Sequence, residues 1–347
     1  MKRGTVGTRV LERSIIKHVK KEGTTGVSIG SDYSIVDKCP QREGENHIQV
    51  VSQGFSDENY KISDGIIILN NSCSEVNVGE LALIRALNNL STCGAVPSEM
   101  LINIQTGGDC SEQSLRDEMN RLSQQAKERN LRIIGGNTVY SGEGEGYSVT
   151  VTLFGYADPT DPKSVSIVGK ESKPQAGDKV IIIGEAGHFG ASLLAAENME
   201  KIRERLSDSY ISGAMISPQQ LEIKDSADAL LEGGAYYLHD VTFGGIYRTL
   251  LEISEYTGMG IDIIHEMIPI RQDTIEICEL LGKNPYEISG TGSVVGVCHA
   301  ADEETVRSEL ERRGIRYSVA GELTLEKKRE VRSLKGKMSR SLTYYEA

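Results

Sequence analysis

The chain has 347 residues, which is enough for two domains that each have a core of their own. Its 38% hydrophobic and 25% charged residues are ordinary for a soluble globular protein. The net charge of -12 argues against general nucleic-acid binding, and no apolar run reaches the ~18 residues of a membrane-spanning helix.

The first half of the chain predicts a sheet with helices on one side. Apolar residues at helical spacing predict helices at 6–20, 78–93 and 111–130, and Ser111 can cap the third. Runs of β-branched and apolar residues predict strands at 26–36, 48–54, 65–69, 100–104, 131–134 and 147–156. This order favours an α+β fold and not a regular repeat of strand, helix and strand.

Two glycines after one of these strands are the most informative feature of the chain. Gly135 and Gly136 follow the apolar run 131–134, as expected for a strand that enters a tight turn. Glycine lets the backbone approach a ligand closely, and a phosphate–Mg²⁺ site calls for a carboxylate at the next residue. That residue is Asn137, so the frame of such a site is kept while much of its charge is lost.

The second half begins after a segment, 157–177, that contains three prolines and predicts a linker. Strands are predicted at 179–183, 236–239, 260–264, 293–299 and 315–322. Helices are predicted at 191–205, 218–232, 246–256, 272–281 and 303–313, and the segment from Lys327 has no clear core face. We therefore expect domains at 1–160 and 177–325, a linker at 161–176 and a tail at 326–347.

Two turns with glycines each join a predicted strand to a predicted helix, and we name them turn 240–245 and loop 187–190. Backbone N–H groups at a helix start can hold an anion, so turn 240–245 is a candidate binding element; a purely structural turn is the alternative. His188 in loop 187–190 either contacts a ligand or is an ordinary surface-loop histidine. Neither turn matches a P-loop.

The cysteines and the N-terminus bear on localisation. The six cysteines are scattered without a CxxC pair, so neither a zinc site nor a disulfide framework is indicated. Free thiols in an acidic chain fit a reducing cytoplasm, and the first residues do not form the apolar core of a signal peptide. We expect a cytoplasmic protein.

A series of short motifs runs along nearly the whole chain. The motifs are Gly30-Ser31-Asp32, Asn70-Asn71-Ser72, Val76-Asn77-Val78-Gly79, Asn88-Asn89-Leu90, Gly135-Gly136-Asn137-Thr138, the sequence of turn 240–245, Ile268-Pro269-Ile270 and the segment 278–285. In this order they resemble the AIR synthase (PurM-like) superfamily, and among its branches the HypE hydrogenase maturation family. That family reads D-D-A, T-T-D, G-D-I-G, N-D-L-A, G-G-D-T, D-P-T-R-G-G, I-P-V and C-E-L-L-G-x-D-P.

The resemblance implies an architecture and a chemistry. It implies an N-terminal sheet domain that forms a homodimer and a C-terminal α/β-sandwich domain. It also implies ATP with Mg²⁺ in the N-terminal domain, used to activate an amide or carbonyl oxygen as a phosphate ester. The implied cofactor positions are Asp32, Ser72, Asn77, Asn89, Gly135, Gly136, Asn137, Thr138, Asp240, Thr242, Gly244 and Gly245, with Asp32 as the metal ligand. Gly187, His188 and Gly190 are implied to line a substrate cleft between the domains.

The chain departs from the family pattern in a systematic way. Carboxylates of the pattern are replaced at Ser31, Ser72, Asn77, Asn89 and Asn137, while Asp32 remains. The arginine of T-R-G-G is Phe243. An amide oxygen can coordinate a cation but brings no charge to offset Mg²⁺ and a triphosphate. Carboxylates at Asp64, Glu75, Glu80 and Asp109 are candidate replacements.

Two functions from different classes therefore remain open. The first is a HypE-like, ATP-dependent synthase or dehydratase with altered metal ligation. The second is a catalytically degenerate homologue, a pseudoenzyme, that acts as a binding or assembly partner, with itself, with a maturation partner or with an active paralogue. We do not expect the self-modification of a C-terminal cysteine that the HypE branch implies, because the last residue is Ala347. Function has to be decided at the site and not from the fold.

Overall fold

The structure is a computed structural model that describes residues 33–38, 48–57, 66–68, 75–108, 110–140, 146–158, 160–164, 173–335 and 339–343. Two sheets dominate the described residues, one of five strands in the first half and one of seven in the second. Helices accompany both sheets, so the α+β, two-domain expectation is confirmed. None of the described helices is both long enough and apolar enough to cross a membrane.

The N-terminal domain is built on the five-stranded sheet. Its strands are β1 (Tyr33–Lys38), β2 (Ile48–Asp57), β5 (Val96–Thr106), β6 (Arg132–Tyr140) and β7 (Tyr147–Ala157), and β3 (Ile66–Ile68) and β4 (Glu75–Asn77) form a separate antiparallel pair. Its helices are α1 (Val78–Ser91) and α2 (Glu112–Glu128). The sheet order is β1-β2-β7-β5-β6, and among the pairings of its described strands only β5–β6 is parallel.

One face of this sheet is covered by helices, whereas the other, which we call the open face, carries exposed and half-buried side chains in the described residues. Ile102 and Ile104 of β5 are buried with residues of α1 and α2 in one hydrophobic cluster. Asn103 and Gln105 alternate with them and are exposed, because successive side chains of a strand point to opposite faces. The Ser111 hydroxyl accepts a hydrogen bond from the Ser114 N–H, 3.0 Å away, and so caps α2 as predicted.

The turn predicted after residue 134 is wrong, because β6 continues through both glycines to Tyr140. Gly135 pairs with Leu101 and Gly136 with Ile102, after a shift of register at Ile134. A Cβ at Gly136 would lie only 1.8 Å from the Ile102 carbonyl oxygen. Glycine is therefore needed here for the close approach of two strands, and no turn follows.

The C-terminal domain is built on the seven-stranded sheet, ordered β14-β13-β10-β12-β8-β11-β9. Its strands are β8 (Lys179–Ile183), β9 (Tyr237–Asp240), β10 (Gly260–Ile264), β11 (Val294–Cys298), β12 (Tyr317–Thr324), β13 (Arg329–Arg332) and β14 (Ser339–Ser341). Its helices are α3 (His188–Glu197), α4 (Met199–Arg203), α5 (Asp208–Ala214), α6 (Lys224–Glu232), α7 (Gly245–Thr257), α8 (Gln272–Leu281) and α9 (Glu303–Arg312).

The segment after Lys327 does have a core face, which corrects the expectation of an unpacked tail. β13 pairs in parallel with β10 and antiparallel with β14. Val331 and Leu342 are buried in the main hydrophobic cluster of the C-terminal domain. Single apolar residues in short strands give little periodic signal, and they are recognisable only once the neighbouring strand is known.

Helix α1 fastens the two domains together along a surface that we call the domain seam. The seam is an apolar cluster of Leu81 and Ile84 from α1 with Phe189, Leu193, Ile216 and Leu221 from the C-terminal domain. Asn88 donates from Nδ2 to the Leu221 carbonyl (2.8 Å) and accepts from the Ile223 N–H at Oδ1 (3.1 Å). The first asparagine of the Asn88-Asn89 motif thus joins the domains.

Candidate functional site

Turn 240–245 lies between β9 and α7. Asp240 ends the strand and is only 2% exposed, whereas Thr242 is half-buried and Gly244 is exposed. Gly245 has a positive φ of 64°, and a Cβ there would lie 2.6 Å from the Tyr286 carbonyl oxygen. Only glycine fits both the backbone conformation and this contact.

Backbone N–H groups at this helix start already have protein acceptors. The Gly245 N–H donates to the Thr242 carbonyl (3.2 Å) and the Tyr247 N–H to the Tyr286 carbonyl (3.2 Å). A helix start binds an anion through N–H groups that have no partner inside the helix. These two bonds therefore favour the structural alternative for this part of the turn.

A buried charged cluster lies beneath turn 240–245. His239 Nδ1 is 2.8 Å from the Asp240 carbonyl oxygen, and its Nε2 is 3.1 Å from Glu252 Oε2. Arg248 Nε donates to the other oxygen of Glu252, 2.5 Å away. Burial alone would raise the pKa of Glu252, but the contacts with His239 and Arg248 outweigh it and hold that pKa below its usual value. The carboxylate is thus ionised and ties α7 to β9.

Loop 187–190 is interior, so the expectation that His188 is a surface histidine is wrong. His188 is 4% exposed, and its Nε2 lies 2.9 Å from the Ala214 carbonyl oxygen. Burial lowers its pKa, which favours the neutral ring. Gly187 and Gly190 are also buried, and the Gly190 N–H donates to the Ser289 carbonyl. A segment distant in sequence covers the loop, which no local pattern signals.

Asn89 lies on the covered side of the N-terminal sheet. Its Nδ2 donates to the Gln53 carbonyl of β2 (2.8 Å). Its Oδ1 is buried and, among the residues that the structure describes, has no hydrogen-bond partner. The amide therefore uses its donor for the fold and leaves one acceptor available.

Asn137 lies on the opposite side of the same sheet. It pairs with Asn103, on the open face, and the whole segment 134–140 is exposed. Strands β7 and β5 separate β2 from β6, a distance of roughly 14 Å at the usual strand spacing. The structure therefore does not bring Asn89 and Asn137 together within one chain.

The described members of the implied cofactor set do not fit Mg²⁺ with ATP. They offer two amides, two hydroxyls, four glycines and a single carboxylate, the buried Asp240, and they lie on two faces of one sheet and in the other domain. Within the described ranges no group of three or more His, Cys, Asp or Glu side chains is placed to hold a metal ion. Asp32, Ser72, Asp64, Asp109 and the side chains of Glu75 and Asn77 lie outside the described residues.

Glu118 is a buried carboxylate that none of the sequence motifs indicated. It is 2% exposed and accepts from the Gly79 N–H (3.0 Å) and from the Tyr147 hydroxyl (2.6 Å). A carboxylate at the first turn of α1 also compensates the positive end of the helix dipole. The available signal was a glutamate in the apolar stripe of α2, between Leu115 and Leu122.

Comparison with known proteins matches both domains. The model of the N-terminal domain of AIR synthase related proteins matches residues 64–157. The model of the C-terminal domain of the same proteins matches residues 175–333. Together the two matches cover most of the chain, in the order that the motifs indicate.

Carbamoyl dehydratases HypE are among the similar proteins. The chain is 28% identical to the Cupriavidus necator protein over 237 residues, which are 67% of this chain and 63% of that protein. It is 29% identical to the Rhizobium leguminosarum protein over 229 residues, 64% of this chain and 60% of that protein. The matched region thus spans less than two thirds of each relative.

Solved structures show the same fold. The HypE–HypF complex matches with a TM-score of 0.69 at 19% identity, over 96% of this chain and 100% of that chain. A HypE in complex with ATP matches with a TM-score of 0.65 at 16% identity, over 100% of this chain and 96% of that chain. At these sequence identities the similarity shows a shared fold alone.

Proposed function

Since this chain belongs to the family of AIR synthase related proteins, we propose that it acts as a maturation-type binding and assembly protein, without Mg–ATP turnover. Two features support the proposal. The described Asn89 and Asn137 carry amides where the family pattern has carboxylates, and within the described residues the N-terminal sheet has an open face and an unpaired outer edge at β6.

The observation that carries the proposal is the outer edge of β6. Among the described strands, none pairs with this edge. Ile134, Val139 and Tyr140 are 45%, 47% and 68% exposed along it. An unpaired, apolar edge strand is a template for pairing with another chain, and soluble proteins usually protect such edges. The edge therefore supports a role in assembly.

The partner that we propose for this surface is a second copy of this chain. A closed dimer uses the same patch on both copies and would cover both edges at once. A maturation protein or an active paralogue is the alternative occupant. The solved HypE–HypF complex is an example of a maturation partner, although for a relative and not for this chain.

Light scattering after size exclusion tests this assembly role. We expect the wild-type chain to elute as a dimer. In the double variant Val139→Lys/Tyr140→Lys the dissociation constant of the dimer should rise about tenfold or more, because charged lysines on an edge strand oppose pairing.

The matched control is Leu325→Lys, since Leu325 is 79% exposed in the C-terminal domain. It should leave the mass unchanged. A wild-type chain that is monomeric and captures no paralogue would contradict the assembly surface. A Leu325→Lys variant whose dimer dissociates as readily as that of the double variant would contradict it as well.

An ATP-dependent enzyme is the second candidate. The observation that favours it is the buried Oδ1 of Asn89, an acceptor available to a cation or a water. Carboxylates outside the described residues would have to supply the missing charge. Micromolar, Mg-dependent binding of ATP by the wild-type chain would favour this candidate over the first.

A further inference from the structure

A guanidinium lies between two aromatic rings at the domain seam. Arg85 of α1 is 2% exposed, and its Cζ is 4.4 Å from the ring centroid of Phe243 and 5.8 Å from that of Phe189. Both distances are within the ~6 Å at which a cation is attracted by the ring. Phe243 belongs to turn 240–245 and Phe189 to loop 187–190, so a single side chain contacts both turns.

The position of Arg85 on α1 explains why it reaches both turns. Leu81 is four residues before it and Asn88 three residues after it, so the three share one face of the helix. Leu81 packs in the apolar seam and Asn88 makes the two hydrogen bonds to the C-terminal domain. Arg85 is therefore in the middle of the interdomain contact and is not a surface side chain.

The ring of Phe243 stands at the position where the quoted family pattern has an arginine. The pattern T-R-G-G reads Thr242-Phe243-Gly244-Gly245 in this chain. The guanidinium beside the turn thus comes from the N-terminal domain and not from the turn itself. We propose that Arg85 is an interdomain positioning residue, which holds turn 240–245 and loop 187–190 in fixed register with α1.

Hydrogen exchange at two amides tests the positioning role. The Gly190 N–H is bonded to the Ser289 carbonyl and the Gly245 N–H to the Thr242 carbonyl, one in each turn. In Arg85→Met both amides should exchange roughly threefold to thirtyfold faster, the range for the loss of a cation–π contact. Arg85→Lys keeps a cation and should exchange closer to the wild-type rate.

A purely space-filling role would make the methionine and lysine variants alike, and that result would overturn the proposal. Acceleration in only one of the two turns would overturn it as well. The matched control is Arg116→Met, since the Arg116 side chain is 62% exposed on α2. It should leave both exchange rates unchanged.

An exchange of charge across the seam gives a second, independent measurement. Phe243→Arg places a second guanidinium, at a half-buried position, against the buried Arg85, so the Tm of this variant should fall because like charges repel. The double variant Arg85→Met/Phe243→Arg has one guanidinium again and should melt above Phe243→Arg alone. A double variant that melts at or below the Tm of Phe243→Arg alone would overturn the proposal.

Discussion

Replacement of Asn88 by aspartate should destabilise the protein by at least ~3 kcal/mol, because it disrupts the hydrogen bonds of Asn88 across the domain seam. Aspartate keeps the acceptor for the Ile223 N–H but sets a second oxygen against the Leu221 carbonyl, where Nδ2 now donates. The side chain is 1% exposed, so water cannot solvate the new charge. Urea unfolding followed by circular dichroism measures the loss.

The control for this variant is Asn120→Asp on α2, away from the open face of the sheet. Asn120 is exposed, so the same chemical change should shift the free energy of unfolding by less than ~0.5 kcal/mol. Equal effects at both positions would show that the two hydrogen bonds of Asn88 do not hold the domains together.

Replacement of Glu118 by alanine should cost about 3–5 kcal/mol of folding free energy. The variant leaves the buried Gly79 N–H and the Tyr147 hydroxyl without their acceptor, and each such loss costs ~1–3 kcal/mol. The positive end of the α1 dipole also loses its carboxylate. Thermal and urea unfolding of the variant measure the change.

Two further variants separate the hydrogen bonds from the helix. Glu118→Gln keeps an acceptor for the Gly79 N–H and should cost less than alanine. Glu112→Ala lies on the same helix, where the Glu112 side chain is 86% exposed, and should cost no more than ~0.5 kcal/mol. A glutamine variant as unstable as alanine would place the effect in the charge and not in the two hydrogen bonds.

Elements with a strong period could be predicted from the sequence. α1 and α2 were expected at 78–93 and 111–130 and are found at Val78–Ser91 and Glu112–Glu128. β7 was expected at 147–156 and runs from Tyr147 to Ala157, with buried and half-buried residues in strict alternation. Such periods arise because one face of the element is buried, and the spacing of apolar residues in a single sequence is enough to show that face.

Features that depend on a distant neighbour could not be predicted. Gly136 looks like a turn residue until the Ile102 carbonyl is placed against it. His188 looks like a loop residue until Ala214 and Ser289 cover its loop. The seam contact of Arg85 with Phe243 joins residues far apart in the sequence, and no local pattern connects them.

The family motifs located the candidate site only in part. They correctly marked turn 240–245 as a strand-to-helix connection. They did not indicate that Asn88 forms hydrogen bonds across the domain seam while Asn89 donates to β2. They also did not indicate that Asn137 lies on the other face of the sheet. A motif fixes the order of residues, whereas a ligand site requires their distances.

Calorimetric titration of the purified chain with ATP, with and without Mg²⁺, most directly tests a binding role without Mg–ATP turnover. We expect no heat of binding at millimolar ATP under either condition, since the described cofactor positions supply amides and no cluster of carboxylates. Micromolar binding that requires Mg²⁺ would contradict the proposed role, and it would mean that carboxylates elsewhere in the chain rescue the site.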